Sequence, residues 1–165
     1  MRACDRHDKL QKFVVMEGMW SEAASLAPSN WPNPSVFCFM LVERSGDEVD
    51  LAKLQLKRQT GPFGCEEHQI FARGDSISLG QGPFGEEWTT PVANLDPAGK
   101  VGSLAFLQIW DAVREAGLVM SHEWVVKIDP DAVFVVSRLR PALRKYTTGG
   151  DRLYVRHQSC WTNQR

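Results

Sequence analysis

Long apolar segments are missing from this chain, and neither sign of charge dominates it. No window approaches the roughly 20 apolar residues of a membrane-spanning helix, so we expect no membrane segment in this chain. The 19 basic residues nearly balance the 20 acidic ones, which removes any global electrostatic case for binding nucleic acid. A function that depends on charge must therefore come from a local cluster.

Cysteine is also sparse. The four cysteines, Cys4, Cys38, Cys65 and Cys160, are widely spaced and include no C-x-x-C pair, which argues against a zinc ribbon and a dense disulfide scaffold. Cys38 lies in an apolar run and is expected to be a small core residue. The sequence does not decide whether Cys38 and Cys65 form a disulfide. Cys65 and His68 have C-x-x-H spacing, but a zinc site needs about four ligands and no second pair is present.

The size and composition are those of one compact α/β domain, with 165 residues of which 43% are apolar and 24% charged. Val36–Val42 is a continuous apolar run, typical of a strand buried on both faces. Asp47–Gln59 has acidic residues at its start and basic residues at its end, which predicts a helix. His68–Ala72 is expected to be a short strand, and residues 73–91, rich in Gly, Ser, Pro and Thr, a loop.

A second helix and strand follow along the chain. Asp96 and Pro97 are typical of a helix start and Gly117 of a helix end, and Trp124–Ile128 has the pattern of an apolar strand. Strands that alternate with helices predict an α/β fold with a mostly parallel sheet and flanking helices. The remaining elements are expected to be a strand at 132–136, a short helix at 138–146 and a last strand at 153–157.

Two carboxylates, Asp129 and Asp131, flank Pro130 at the end of the Trp124–Ile128 strand. We call residues 129–131 the acidic turn. Ligands of open α/β sheets bind at the carboxyl ends of strands, and an ionised carboxylate in a sheet needs a cation or donors to replace lost water. Mg²⁺ and Mn²⁺ prefer carboxylate oxygens and usually complete their shell with water and substrate phosphates. The acidic turn therefore predicts metal-assisted handling of a diphosphate.

The residues alone leave three interpretations of the acidic turn open. It fits a nucleotide-sugar glycosyltransferase, in which the metal neutralises the diphosphate leaving group. It also fits a haloacid-dehalogenase-type phosphotransferase with Asp129 as nucleophile and Asp131 as general acid, although the short remainder of the chain does not supply the further residues of that family. The third interpretation is an exposed turn between strands, for which Asp-Pro-Asp is ordinary turn chemistry.

A resemblance to one family is carried by residues around the acidic turn. Its sequence context is similar to the Lys-x-Asp-Asp-Asp-Val-Phe motif of the galactosyltransferase and Fringe-like groups, which are glycosyltransferase-like proteins with the GT-A fold. The resemblance covers roughly residues 34–157. The segments that resemble this family are Pro34–Phe39, Phe63–Glu67, Trp110–Val113, His122–Phe134 and Arg138–Arg140.

The resemblance implies a Rossmann-like GT-A fold that binds a nucleotide-diphospho-sugar. The donor-binding domain is expected at 36–157, between a Pro-rich N-terminal arm at 1–35 and a C-terminal tail at 158–165. If the roles of the family's motif residues apply at the matching positions, Asp131 would be a direct ligand of Mn²⁺ or Mg²⁺. Asp129 would bind the metal or the donor ribose, and Lys127 would support the same site. No residue is assigned as the catalytic base.

The partners implied by the resemblance are a nucleotide-sugar donor and a glycan or protein acceptor, and the implied compartment is the Golgi lumen. The donor sugar, the nucleotide and the acceptor are not specified by these residues. In such enzymes the acceptor-binding half follows the last strand, whereas this chain ends at Arg165. The expectation is therefore the donor-side half of a truncated hexosyltransferase, with a non-catalytic binding module as the alternative.

Overall fold

A computed structural model of the chain describes residues 14–17, 34–44, 46–92, 103–143 and 154–156. Strands and helices alternate along these residues, and short 3-10 turns precede β3 and β7. The elements, in chain order, are β1 (Val14–Glu17), β2 (Val36–Val42), α1 (Glu48–Arg58), a 3-10 turn (Gly61–Gly64), β3 (Glu67–Arg73), β4 (Ser78–Gly82), β5 (Gly85–Trp88), β6 (Thr90–Val92), α2 (Ser103–Glu115), a 3-10 turn (Leu118–Ser121), β7 (Trp124–Ile128), α3 (Val136–Leu143) and β8 (Tyr154–Arg156).

The main sheet has six strands in the order β6, β3, β2, β7, β1, β8. The first four are parallel to one another, β1 pairs with β7 in the antiparallel sense, and β8 pairs with β1 in the same way. Strands β4 and β5 form a separate antiparallel hairpin. The predicted α/β architecture, with a parallel sheet and flanking helices, is thereby confirmed.

Strand β2 lies inside the parallel part of the sheet and is buried along its whole length. Successive side chains of a strand point to opposite faces, so β2 supplies two hydrophobic cores. Its even-numbered residues pack in a cluster with α1 and α3, and its odd-numbered residues pack in a second cluster with α2. On the second face, the rings of Phe39 and Trp110 meet edge to face with their centroids 4.6 Å apart. Burial on both faces explains the continuous apolar run.

Helix α1 follows the predicted pattern closely. Glu48 and Asp50 in its first turn and Lys57 and Arg58 in its last turn complement the helix dipole. Gln59 ends the helix in the left-handed conformation, with φ of 51°. None of the helices in the described ranges is long and apolar enough to cross a membrane.

The order of strands reverses at β2. After β2 the chain adds β3 and then β6 on one side, and β7 pairs with β2 on the other side. Helix α1 covers one face of the sheet and α2 the other. The carboxyl ends of β2 and β7 are therefore neighbours at a topological switch point, which is where open α/β sheets bind ligands.

The prediction of a loop at 73–91 is wrong, because this segment contains the β4–β5 hairpin and β6. The hairpin is mostly partly buried or exposed, and Phe84 at its tip is 99% exposed. Its base is fixed by Thr89, whose hydroxyl oxygen accepts the N–H of Ile77 at 2.8 Å. A short, glycine-rich and half-exposed hairpin has no clear apolar alternation, so the pattern could not indicate its strands.

The prediction of a strand at 132–136 is also wrong. Residues 132–135 alternate between buried and exposed but do not form a strand, and Val136 begins α3. A run of β-branched residues favours an extended backbone, but this propensity depends on context and does not by itself make a segment a strand.

The other predicted elements have mixed outcomes. Strand β1 lies within the predicted N-terminal arm, where the sequence indicated no strand. The expected helix start at Asp96 and Pro97 lies outside the described residues, and α2 is described from Ser103. The predicted helix at 138–146 is present two residues earlier, as α3, and the strand predicted at 153–157 is β8.

Cys38 of β2 and Cys65, ahead of β3, form a disulfide with their Cα atoms 6.0 Å apart. Next to it, Glu66 accepts the backbone N–H of Val36 at 2.9 Å and forms an ion pair with Arg140 of α3. The disulfide and the hydrogen bond thus tie the amino ends of β2 and β3 together, and the ion pair connects Glu66 to α3. The disulfide also removes Cys65 as a thiolate metal ligand.

We predict that the disulfide contributes strongly to stability. It joins residues separated by 27 positions, a loop for which the chain-entropy relation gives about 3–4 kcal/mol. The double variant Cys38→Ala/Cys65→Ala should therefore lose about that much free energy of unfolding in urea titrations. Reductant should lower the unfolding midpoint of the wild type and leave that of the double variant unchanged; equal sensitivity in both would contradict the assignment.

Candidate functional site

The acidic turn leaves the sheet directly after β7. The backbone carbonyl of Asp129 accepts the N–H of Ala132 at 2.9 Å, which closes a four-residue turn with Pro130 in its second position. Pro130 is buried, the side chain of Asp129 is 30% exposed, and Asp131 is exposed. Both carboxylates therefore lie at the carboxyl edge of the sheet, where the sequence placed them.

Lys127, in β7, lies two residues before Asp129, a spacing that puts side chains of an extended segment on the same side. Its ammonium forms an ion pair with the carboxylate of Asp129, and its side chain is only 13% exposed. The structure therefore brings together two of the predicted site residues. This contact holds the Asp129 carboxylate in one orientation and balances part of its charge.

Asp131 differs from Asp129 in its surroundings. Within the described residues it makes no hydrogen bond or ion pair, and its side chain faces solvent. The Asp131 carboxylate is thus available to a ligand from outside the protein, whereas Asp129 is already engaged by Lys127.

Helix α1 brings a further residue to the acidic turn. The side-chain amide of Gln55 donates a hydrogen bond of 2.9 Å to the backbone carbonyl of Pro130, across 75 positions of sequence. The carbonyl group at the centre of the turn is therefore paired with a donor from a neighbouring element, as a buried backbone acceptor requires.

The carboxyl end of β2 adds two more carboxylates. Glu48, in the first turn of α1, accepts the backbone N–H of Glu43 at 2.7 Å. Burial raises the pKa of Glu48 above its usual range, and the negative charges of Glu43, Asp131 and Asp129 raise it further, while the N–H of Glu43 opposes the increase. Glu43 has a compensating cation, because Arg73 of β3 lies 3.2 Å from its carboxylate.

Several carboxylates lie near one another at this edge of the sheet. The like charges that act on Glu48 create a negative potential that a cation would relieve. In the described part of the chain, however, no group of three or more His, Cys, Asp and Glu side chains is placed to hold a metal ion. A cation at this edge would therefore have to be held by one or two carboxylates together with waters and phosphates, and not by a closed protein cage.

At the amino end of β3, too, the described residues include no group placed to hold a metal ion. His68 packs against Phe63 with ring centroids 4.8 Å apart and lies 3.7 Å from the carboxylate of Glu87. Burial lowers the pKa of His68, although the charge of Glu87 partly opposes this change. With Cys65 held in a disulfide, the C-x-x-H spacing is structural.

Glu48 and Gln55 are the neighbours of the acidic turn that the sequence did not identify. Both lie in α1, more than 70 positions before the acidic turn, and their types are common on the surface of helices. The signal that could have found them is the topology: once β7 is known to pair with β2, the helix that follows β2 must begin beside the acidic turn.

We predict that Glu48→Gln raises the melting temperature of the ligand-free protein by a few degrees at pH 7. Because the pKa of Glu48 is raised in the folded protein, its ionisation destabilises the fold as the pH rises through that pKa. Glutamine keeps an acceptor for the N–H of Glu43 and has no charge. The difference in melting temperature between the variant and wild type, measured by thermal unfolding between pH 4 and pH 7, should grow with pH and vanish near pH 4.

The matched control is Glu86→Gln on β5. Glu86 accepts a hydrogen bond from the Ser78 hydroxyl, which glutamine can also accept, and it lies outside this group of carboxylates. If Glu86→Gln also raises the melting temperature, with the same dependence on pH, the effect is a property of net charge and not of the carboxylates around Glu48.

Comparison with known proteins finds no matching protein family, no similar curated protein and no similar solved structure.

Proposed function

We propose that the acidic turn binds a divalent cation together with the diphosphate of a nucleotide sugar, and that the chain is the donor-binding part of a GT-A-type glycosyltransferase. The observation that carries this proposal is the position of the acidic turn. Its two carboxylates stand at the carboxyl end of β7, next to the carboxyl end of the parallel strand β2, at the point where the strand order reverses. The resemblance around residues 122–134 supports the same function.

The side chains suggest different roles for the two carboxylates. Asp131, exposed and without a partner in the described residues, is the direct metal ligand in this proposal. Asp129 is held by Lys127 and is suited to a fixed contact, either with the same cation or with a ribose hydroxyl of the donor. Lys127 acts mainly by orienting Asp129.

The bound cation would neutralise the charge that collects on the diphosphate as its bond to the sugar breaks. The chain's own residues would bind and orient this cation. Asp131 would bind it directly, Asp129 is held in place by Lys127, and Glu48 and Glu43 keep the local potential negative. No described residue has the contacts that would identify it as the base that activates an acceptor. Donor binding is therefore the core of the proposal, and transfer of a hexose to a glycan or protein acceptor is its further step.

The disulfide bears on the compartment. Disulfides form and persist in oxidising surroundings such as the secretory pathway. The bond between Cys38 and Cys65 therefore supports the lumenal location that the resemblance implies.

We predict that Mn²⁺ with uridine diphosphate raises the melting temperature by about 5–10 °C at concentrations near a hundred times the dissociation constant. Asp131→Asn should abolish the shift, because the amide has nearly the same shape but lacks the charge that binds the cation. Asp111→Asn is the control, since Asp111 pairs with Arg114 on the surface of α2 and should keep the full shift.

The outcomes separate the alternatives. Absence of a metal-dependent shift with every nucleoside diphosphate tested would contradict donor binding and leave the acidic turn as an exposed turn. Turnover of p-nitrophenyl phosphate that requires both Mg²⁺ and Asp129 would favour the phosphotransferase. A shift without sugar transfer or hydrolysis would favour the binding module.

A further inference from the structure

Gln55 is the one side chain of α1 that donates a hydrogen bond to the acidic turn in the described residues. Its amide nitrogen lies 2.9 Å from the carbonyl oxygen of Pro130. Gln55 and Pro130 are both at least partly sheltered from solvent, so water competes weakly for this contact. The hydrogen bond links the helix that follows β2 to the turn that follows β7.

The carbonyl that Gln55 binds belongs to the peptide group between Pro130 and Asp131. A peptide group is planar, so the direction of its carbonyl also sets the direction of the N–H and Cα of the next residue. The φ of Pro130 is fixed by its ring, and the Asp129 carbonyl is fixed by the N–H of Ala132. The orientation of the peptide that carries Asp131 is then the main remaining freedom, and Gln55 restrains it.

The backbone makes room for Gln55 in this position. Gly61 has φ of 62°, and a Cβ atom placed on it would lie 2.2 Å from the side-chain oxygen of Gln55. A larger residue at position 61 would therefore push this side chain away from Pro130. The side-chain oxygen of Gln55 is buried and has no hydrogen-bond partner within the described residues, so the nitrogen is the end that makes the specific contact.

We propose that Gln55 is a positioning residue: by holding the Pro130 carbonyl, it fixes the direction in which the Asp131 carboxylate leaves the sheet. The effect of Gln55 on cation binding rests on the proposed function, whereas its effect on the backbone of the acidic turn does not. Groups that orient metal ligands typically affect metal affinity by 10–100-fold, which sets the size of effect to look for.

Gln55→Met tests the proposal, because methionine has a similar length and no donor. Gln69→Met is the matched control: the Gln69 amide also donates to one partner, the Thr90 hydroxyl at 3.1 Å, and its oxygen is likewise buried without a hydrogen-bond partner in the described part of the chain. Gln55→Leu provides a second variant that removes the donor without adding a charge, in case the methionine variant fails to fold.

The first measurement is amide hydrogen exchange at Ala132, whose N–H closes the acidic turn. Both Gln55 variants should exchange about tenfold faster at this amide than wild type, since loss of a hydrogen bond of ordinary strength loosens the turn by that factor. Gln69→Met should exchange at the wild-type rate there. Exchange at Ala132 that is unchanged in the Gln55 variants would overturn the proposal.

The second measurement is the affinity for Mn²⁺ in the presence of uridine diphosphate, with Asp131→Asn in parallel. The Gln55 variants should bind at least about tenfold more weakly, and Gln69→Met within about twofold of wild type. Wild-type affinity in the Gln55 variants, with binding lost in Asp131→Asn, would overturn the positioning role and leave the proposed function intact. If wild type binds no Mn²⁺ while Ala132 exchange is faster in the variants, the proposed function fails and the positioning of the turn stands.

Discussion

Burial of β2 on both of its faces is the constraint on which the described structure depends. No polar side chain fits within this strand, so its residues form the centre of two cores, one shared with α1 and α3 and one with α2. β2 also sets the parallel register of β3 and β7, and through Cys38 it is bonded to the start of β3. Its carboxyl end, with Glu43 and then Glu48, forms one side of the candidate site. The position of the acidic turn thus follows from the position of β2.

The sequence predicted those elements whose burial leaves a clear pattern. The apolar runs of β2 and β7 and the charged ends of α1 indicated two strands and a helix near their observed bounds. The β4–β5 hairpin lacked such a pattern because half of its surface is exposed and glycine occupies several positions. Residues 132–135 have the sequence pattern of a strand but do not form one, since β-propensity depends on a tertiary context that local sequence does not encode.

The residues of the candidate site also fall into those that local sequence could indicate and those that it could not. Asp129, Asp131 and Lys127 are close in sequence, and a strand followed by a proline turn was enough to place Lys127 beside Asp129 and both aspartates at one edge of the sheet. Glu48 and Gln55 reach the site only because the chain returns to pair β7 with β2, and this pairing depends on sequence-distant packing. Local patterns therefore indicate which groups carry charge, whereas the topology decides which helix restrains them.

The contact among Gln55, Gly61 and Pro130 also constrains how this chain can change over evolution. A side chain at position 61 would occupy the volume that Gln55 uses, and a shorter residue at position 55 would leave the Pro130 carbonyl without its donor. Substitutions at these three positions are therefore not independent, even though 55 and 130 are far apart in the chain. Among relatives of this protein, we expect glutamine at 55 and glycine at 61 to be kept or replaced together, because both are needed for the contact with the acidic turn.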